Sequence, residues 1–343
     1  MERDIQLDIY RGLLMMYIVC VIHVMYWLQM GKEPFLSILL IEMPAIFFVS
    51  GASQSLVKKN RGLWESCRNR IRRVLLPYYI YAFVIILCIS ILSFVHYKPD
   101  YDILAYKNRD WMNVLMAQDI PQAHCIWHLW FIMPYLILSC TFGVQKKLID
   151  KTSPLSYMLC CIIVHFVIQR ITGNYMLKTV FCYNIFMVAG YLYYHKLSKN
   201  KTYALCAALW IINVVYYSKW GGQFFPMQNH KFPPDTLFLL YGMAMVCSLS
   251  IIFGKIKLPY NNIIRIWNER GYTIYLYQSV VFFLVAHFIK YIDVIPSAFL
   301  QFLISALCVF TISTVLSYIT YPIECYILNK LTYEKHRQNT RQE

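Results

Sequence analysis

Residues 8–28 read DIYRGLLMMYIVCVIHVMYWL. After Asp8 and Arg11 the stretch is apolar from Leu13 to Leu28 except at His23. At about 1.5 Å of rise per residue, such a helix crosses a hydrocarbon core roughly 30 Å thick. A titratable group at that depth is costly and is seldom placed there without a task, which makes His23 the first candidate for chemistry. No small-residue cleavage site follows the apolar run, so the segment is expected to remain as the first spanning helix.

The rest of the chain is of the same kind. Over 343 residues, 59% are hydrophobic and 14% charged, with a mean hydropathy of +0.47, a composition that excludes a soluble monomer. The fold class is an all-α integral membrane protein. Apolar runs predict about ten transmembrane helices, near residues 9–30, 35–57, 74–97, 128–145, 154–172, 177–195, 202–218, 235–254, 271–290 and 298–320. No room is left for a soluble domain. Residues 1–343 read as one membrane domain, ending in a short basic tail over 330–343.

Lysines and arginines gather in cytoplasmic loops, and with the N-terminus inside, 23 of the 32 fall on that face. Both termini are therefore expected in the cytoplasm, and the protein in a cell membrane. The net charge of +15 is dealt out loop by loop, as topology alone demands, so nucleic acid is not an expected partner. The twelve cysteines contain no C-x-x-C, and nearly all lie in predicted helices, Cys125 being the one in an external loop. They read as small core residues, and neither a metal site nor a bound cofactor is expected.

Outside the predicted helices, the most charged stretch is Lys58 to Pro77, with Arg68, Arg70, Arg72 and Arg73 just ahead of Val74-Leu75-Leu76. Part of it is an orientation signal. Closely spaced guanidinium groups also bind phosphate in bidentate fashion, so Arg70, Arg72 and Arg73 are candidates for holding a polyphosphorylated donor. The chain has no G-x-x-x-x-G-K and no G-x-G-x-x-G, which removes the loop-type nucleotide folds. His23 lies twelve residues beyond Arg11, roughly 18 Å along a helix and past the middle of the bilayer. A donor anchored at the inner face needs a long thin arm to reach it. Acyl-coenzyme A has one, with phosphates on its nucleotide and a thioester at the end of pantetheine.

A second titratable group lies at matching depth. Gly31-Lys32-Glu33-Pro34 reads as the turn between helices one and two, and Glu42 is as far from its centre as His23, so an antiparallel hairpin puts the two level. Glu42 then either orients the imidazole as a general base or turns to another helix and satisfies a buried polar group. Ser50 and Gly51 can offer a hydroxyl and a close backbone approach to a thioester, or simply mark helix packing. Trp127, His128 and Trp130, with Trp220 and the 219–234 loop carrying Asn229 and His230, are expected at the outer face, where aromatic rings stack on sugars or form an interface belt.

These residues form an ordered pattern: Leu7-Asp8-Ile9-Tyr10-Arg11-Gly12 and His23; Met43-Pro44 with Phe47-Phe48-Val49-Ser50-Gly51; Arg70 to Arg73 leading into Leu76-Pro77-Tyr78; His128-Leu129-Trp130-Phe131; and, more weakly, Phe186 to Tyr191 and Gly271 to Leu276. In this the chain resembles the acyltransferase 3 family of membrane O-acyltransferases, including the branch that acylates cell-envelope polysaccharides. The resemblance implies a ten-helix domain, a cytoplasmic acyl-CoA donor, catalysis by His23 and an essential Arg11, with Asp8 beside it. Family members usually have ten residues between this arginine and histidine, whereas here eleven intervene, a rotation of about 100° on an ideal helix that a bulge can absorb. The later family motif often ends in histidine, and this chain has Gln278 there.

The expected function is transfer of a small acyl group, acetyl foremost, from acyl-CoA to a hydroxyl of an envelope glycan or lipid-linked sugar. A transporter or flippase for a lipid-linked sugar, with His23 and Glu42 lining a path, is the alternative from another class.

Overall fold

In the computed structural model, which describes residues 4–28, 30, 36–57, 63–94, 127–196, 198–220, 227–256, 258–288 and 297–339, the chain is helical. No β-strand occurs among the described residues. The predicted 31–34 turn, Lys58, Lys59, Arg61, Cys125 and residues 221–226 of the outer loop lie outside them. Seven segments among the described residues are long and apolar enough to cross a membrane, and helices also form over the other three predicted spans. The chain divides into two compact units, Met1–Arg61 with Thr141–Asn268, and Gly62–Cys140 with Glu269–Glu343.

The first unit opens with α1 (Ile5–Met16), whose first turn is closed by Asp4 Oδ1 accepting from the Leu7 amide at 3.1 Å. The helix continues as a π-helical stretch, Tyr17–Ile22, and then as α2 (His23–Trp27). The second predicted span is broken: a 3₁₀ turn over Leu36–Leu39 precedes α3 (Glu42–Ser55). Irregular backbone at this depth needs protein partners, and the Leu39 carbonyl accepts from the Tyr17 hydroxyl while the Ile38 carbonyl accepts from Tyr241 at 2.8 Å. Further along are α5 (Ile132–Lys151), whose second half belongs to this unit, α6 (Pro154–Ile171), α7 (Tyr175–Lys196) and α8 (Lys199–Trp220). The unit closes with α9 (Thr236–Phe253), capped by Asp235, and the short α10 (Asn262–Glu269).

Its centre is the crossing of α3 and α7. A Cβ on Gly51 would lie 1.8 Å from the Met187 carbonyl oxygen, and one on Gly190 would lie 1.9 Å from that of Phe48. Two glycines thus let the backbones touch, the small-residue packing that membranes favour. Phe47 stacks on Tyr183 beside it, 4.7 Å between ring centres. In contrast, α6 turns Leu155, Leu159 and Ile163 outward and buries His165.

The second unit holds α4 (Leu63–Phe94), a 3₁₀ turn over Trp127–Phe131, the start of α5, α11 (Gly271–Phe288) and α12 (Ala298–Asn339). α4 begins at Leu63 and not at 74, because arginine is a good helix former and nothing from Leu63 to Leu76 breaks a helix. Pro77 sits inside it. Proline cannot donate to the Arg73 carbonyl, and the neighbouring Val74 carbonyl takes the Tyr272 hydroxyl at 2.9 Å. Of the predicted basic tail, residues 330–339 are helical, as α12 runs to Asn339, and 340–343 lie outside the described residues.

Candidate active site

His23 opens α2 and is 4% exposed, enclosed within the first unit. The stretch before it explains its direction. A π-helical turn uses i→i+5 hydrogen bonds and takes up one residue more than an α-helical turn. Tyr17–Ile22 lies wholly between Arg11 and His23 and takes up the eleventh residue of that interval without the rotation an ideal helix would impose.

One turn of α1 carries two further catalytic candidates. Arg11 Nη1 meets Asp8 Oδ1 at 3.3 Å, with the Asp8 side chain 10% exposed and that of Arg11 42% exposed. Asp8 is thus a buried anchor for a guanidinium that still reaches outward. Gly12, next in line, is required by packing: a Cβ there would lie 2.6 Å from the Ile264 carbonyl of α10. The short amphipathic α10, which falls in a predicted loop, crosses α1 at this point, with Ile264 and Trp267 buried.

Glu42 stands in the first turn of α3, where the helix dipole favours a negative charge. Its Oε1 pairs with Lys231 Nζ, and both side chains are almost wholly buried. Among the described residues Oε2 has no hydrogen-bond partner, and the bond shown for this carboxylate goes to Lys231. Lys231 also donates to the Tyr26 hydroxyl at 3.2 Å, and Tyr26 donates to Gln228. Tyr26 is three residues beyond His23, on the same helical face.

Lys231 is the residue that sequence reading passes over. It counts there as one outer-face basic residue among nine, yet it is 2% exposed, held in a turn whose Met227 amide donates to Ser37 Oγ at 2.9 Å. A lysine flanked by Phe232, Pro233 and Pro234, with no acid nearer than Asp235, was the available signal. Burial alone pushes its ammonium down, but Glu42 and Tyr26 more than offset this and hold it above the ordinary lysine value. Next to it, His230 Nδ1 meets Asp235 Oδ2 at 2.6 Å, so His230 braces the start of α9.

Ser50 is half-buried on α3. At Gly51 the close backbone approach shown is that of α7. Arg70, Arg72, Arg73, His128 and Trp130 belong to the second unit. The three arginines lie on α4, with Arg70 and Arg72 half-buried and Arg73 exposed. His128 and Trp130, expected at the outer face, are buried. The His128 ring sits 5.1 Å from that of Tyr275 and edge-on to Tyr81, and its carbonyl accepts the Tyr275 hydroxyl. Gln278 is also interior, donating to the Tyr275 carbonyl at 2.8 Å.

Comparison with known proteins gives these placements a common frame, since residues 4–321 match the family described as an acyltransferase domain, acyltransferase 3. The chain belongs to the acyltransferase 3 family. No curated protein and no solved structure matches it. Family membership and the apolar helices make this acyltransferase a multi-pass membrane protein. The match takes in α1 and more than half of α12.

Proposed function

We propose that this acyltransferase moves a small acyl group, acetyl foremost, from cytoplasmic acyl-CoA to a hydroxyl of an envelope glycan or its lipid-linked precursor, in the bacterial inner membrane with both termini inside. The observation that carries the reading is His23, a buried intramembrane imidazole whose helix takes up the extra residue after Arg11 by a π-helical stretch, in a chain of the acyltransferase 3 family. Neutral His23 accepts the acceptor's hydroxyl proton while that oxygen attacks the thioester carbonyl. The new C–O bond forms as the C–S bond breaks, and the proton passes to the departing thiolate, giving coenzyme A. The α4 arginines supply positive charge for the donor's phosphates, and Arg11 is held by Asp8.

Glycans from cells with and without the protein test this directly, as does labelled acetyl transfer by purified protein in detergent. Loss of O-acetyl groups in its absence is expected. His23→Ala should lower transfer by about 10²- to 10⁴-fold, the usual share of a general base, while the variant stays folded. Wild-type transfer by a folded His23→Ala protein would overturn the mechanism, and unchanged glycan acylation would overturn the acceptor.

A further inference from the structure

A cavity of about 530 Å³ runs beside α1 in the first unit, away from the Asp8–Arg11 pair. Leu7, Tyr10 and Leu14 of α1, Ala45 and Ala52 of α3, and Leu249 of α9 form its walls. The alanines make the room, since they stand at one helical face of α3 where larger residues would close the slot. From Leu7 to Tyr17 it follows ten residues of helix, about 15 Å, half the hydrocarbon core and the depth of one leaflet.

The chemistry of the lining is uneven. Along the length, polar atoms are turned to the protein's own backbone: Tyr10 donates to the Phe253 carbonyl at 2.8 Å, Ser250 to Val246 at 2.8 Å, and Tyr17 to Leu39. A pantetheine arm or a sugar lying there would leave its amides or hydroxyls without partners, which is costly for buried polar groups. A hydrocarbon chain has no such groups to satisfy. Polar side chains cluster at the end nearest the start of α1, where the Asp4 carboxylate, which accepts from the Leu7 amide and the Tyr194 hydroxyl, lines the slot with Gln6. Among the described lining residues Asp4 is the one with an acidic or basic side chain. Its negative charge suits an ammonium and opposes a phosphate without one.

We infer that this slot binds one acyl chain of an amine-headed phospholipid, of the phosphatidylethanolamine class, with the chain between α1, α3 and α9 and the ammonium at Asp4. Such a lipid would be a resident ligand, distinct from donor and acceptor, wedged against the helix that carries His23.

Phosphatidylethanolamine with a diazirine in its acyl chain, reconstituted with the full-length protein in lipid nanodiscs, tests the site without any turnover. After photolysis and peptide mapping, label is expected on the α1 and α3 wall residues as well as on the outward face of α6. Ala45→Phe with Ala52→Phe should cut the wall label several-fold and leave the α6 label unchanged. Leu249→Trp, from the opposite wall, gives the same reading if the double variant does not fold. Asp4→Asn, which retains the helix cap, should abolish the preference over phosphatidylglycerol carrying the same chain. The inference is overturned by label confined to α6, by equal labelling from phosphatidylglycerol in the wild type, or by stronger wall labelling from diazirine-palmitoyl-CoA. Because no acyl transfer is measured, failure here and failure of the acyltransferase reading are separate results.

Discussion

Lys231 and Glu42 set a high stake on two side chains. Their charges are hidden from water, and each is tolerable only because the other is present. Lys231→Met should therefore destabilise the protein by about 3–5 kcal/mol, the range for breaking a buried pair, through the carboxylate it strands. Glu42→Gln combined with Lys231→Met should recover much of that loss, since removing both charges ends the penalty. Thermal melts in detergent check both expectations. The raised pKa of Lys231 fixes the pH window: its contribution is whole below the unfolded value of about 10.5 and is lost only as pH climbs through the higher folded value. Melts of the wild type should accordingly show no loss from this pair near neutrality and a loss in strong alkali that Lys231→Met lacks. His23 was legible in the sequence because any titratable residue in an apolar run is conspicuous. Lys231 was not, because its burial is made by residues such as Glu42 and Tyr26, some two hundred positions away.

At the scale of elements, two local departures from regular helix govern the site. If the π-helical stretch exists to take up one residue, deleting Val21, a half-buried position within it, should regularise the helix and leave His23 facing as before. Acyl transfer by that variant is expected to stay near wild type, whereas inserting one alanine after Val21 should abolish it by turning the imidazole about 100°. Assaying both in parallel decides the point. The glycine crossing makes a different demand. Gly51→Ala places a methyl 1.8 Å from backbone that cannot move aside, so folded protein should be lost, while Gly173→Ala, with nothing within 4 Å, should be neutral. Size-exclusion yield of the two variants measures this. Periodicity predicts that such helices exist. The break at Leu40–Ile41, the bulge at Tyr17–Ile22 and the interfacial α10 depend on hydrogen bonds and crossings supplied by other segments, and no local pattern announces them.

For the whole molecule, the arginines of α4 carry the test of donor recognition. Replacing Arg70, Arg72 and Arg73 with glutamine should weaken acyl-CoA binding, most at low salt where the charges are least screened. Cysteine labelling from each side must confirm normal insertion, since the same charges direct topology; unchanged affinity in a correctly inserted variant would reduce them to that role. The amino-acid sequence by itself determined the helical membrane class and the ordered family motifs, and it made His23 a candidate. The reason is that a bilayer obliges each spanning segment to satisfy its own backbone, so length and hydropathy suffice to read it. Only the tertiary structure decided that Glu42 answers to Lys231, that Gly51 belongs to a helix crossing, that His128 and Trp130 are interior, and that an apolar slot runs along α1. Each of those facts is a contact between residues distant in the chain, and side-chain partnership across such distances is settled by packing, which no single segment encodes.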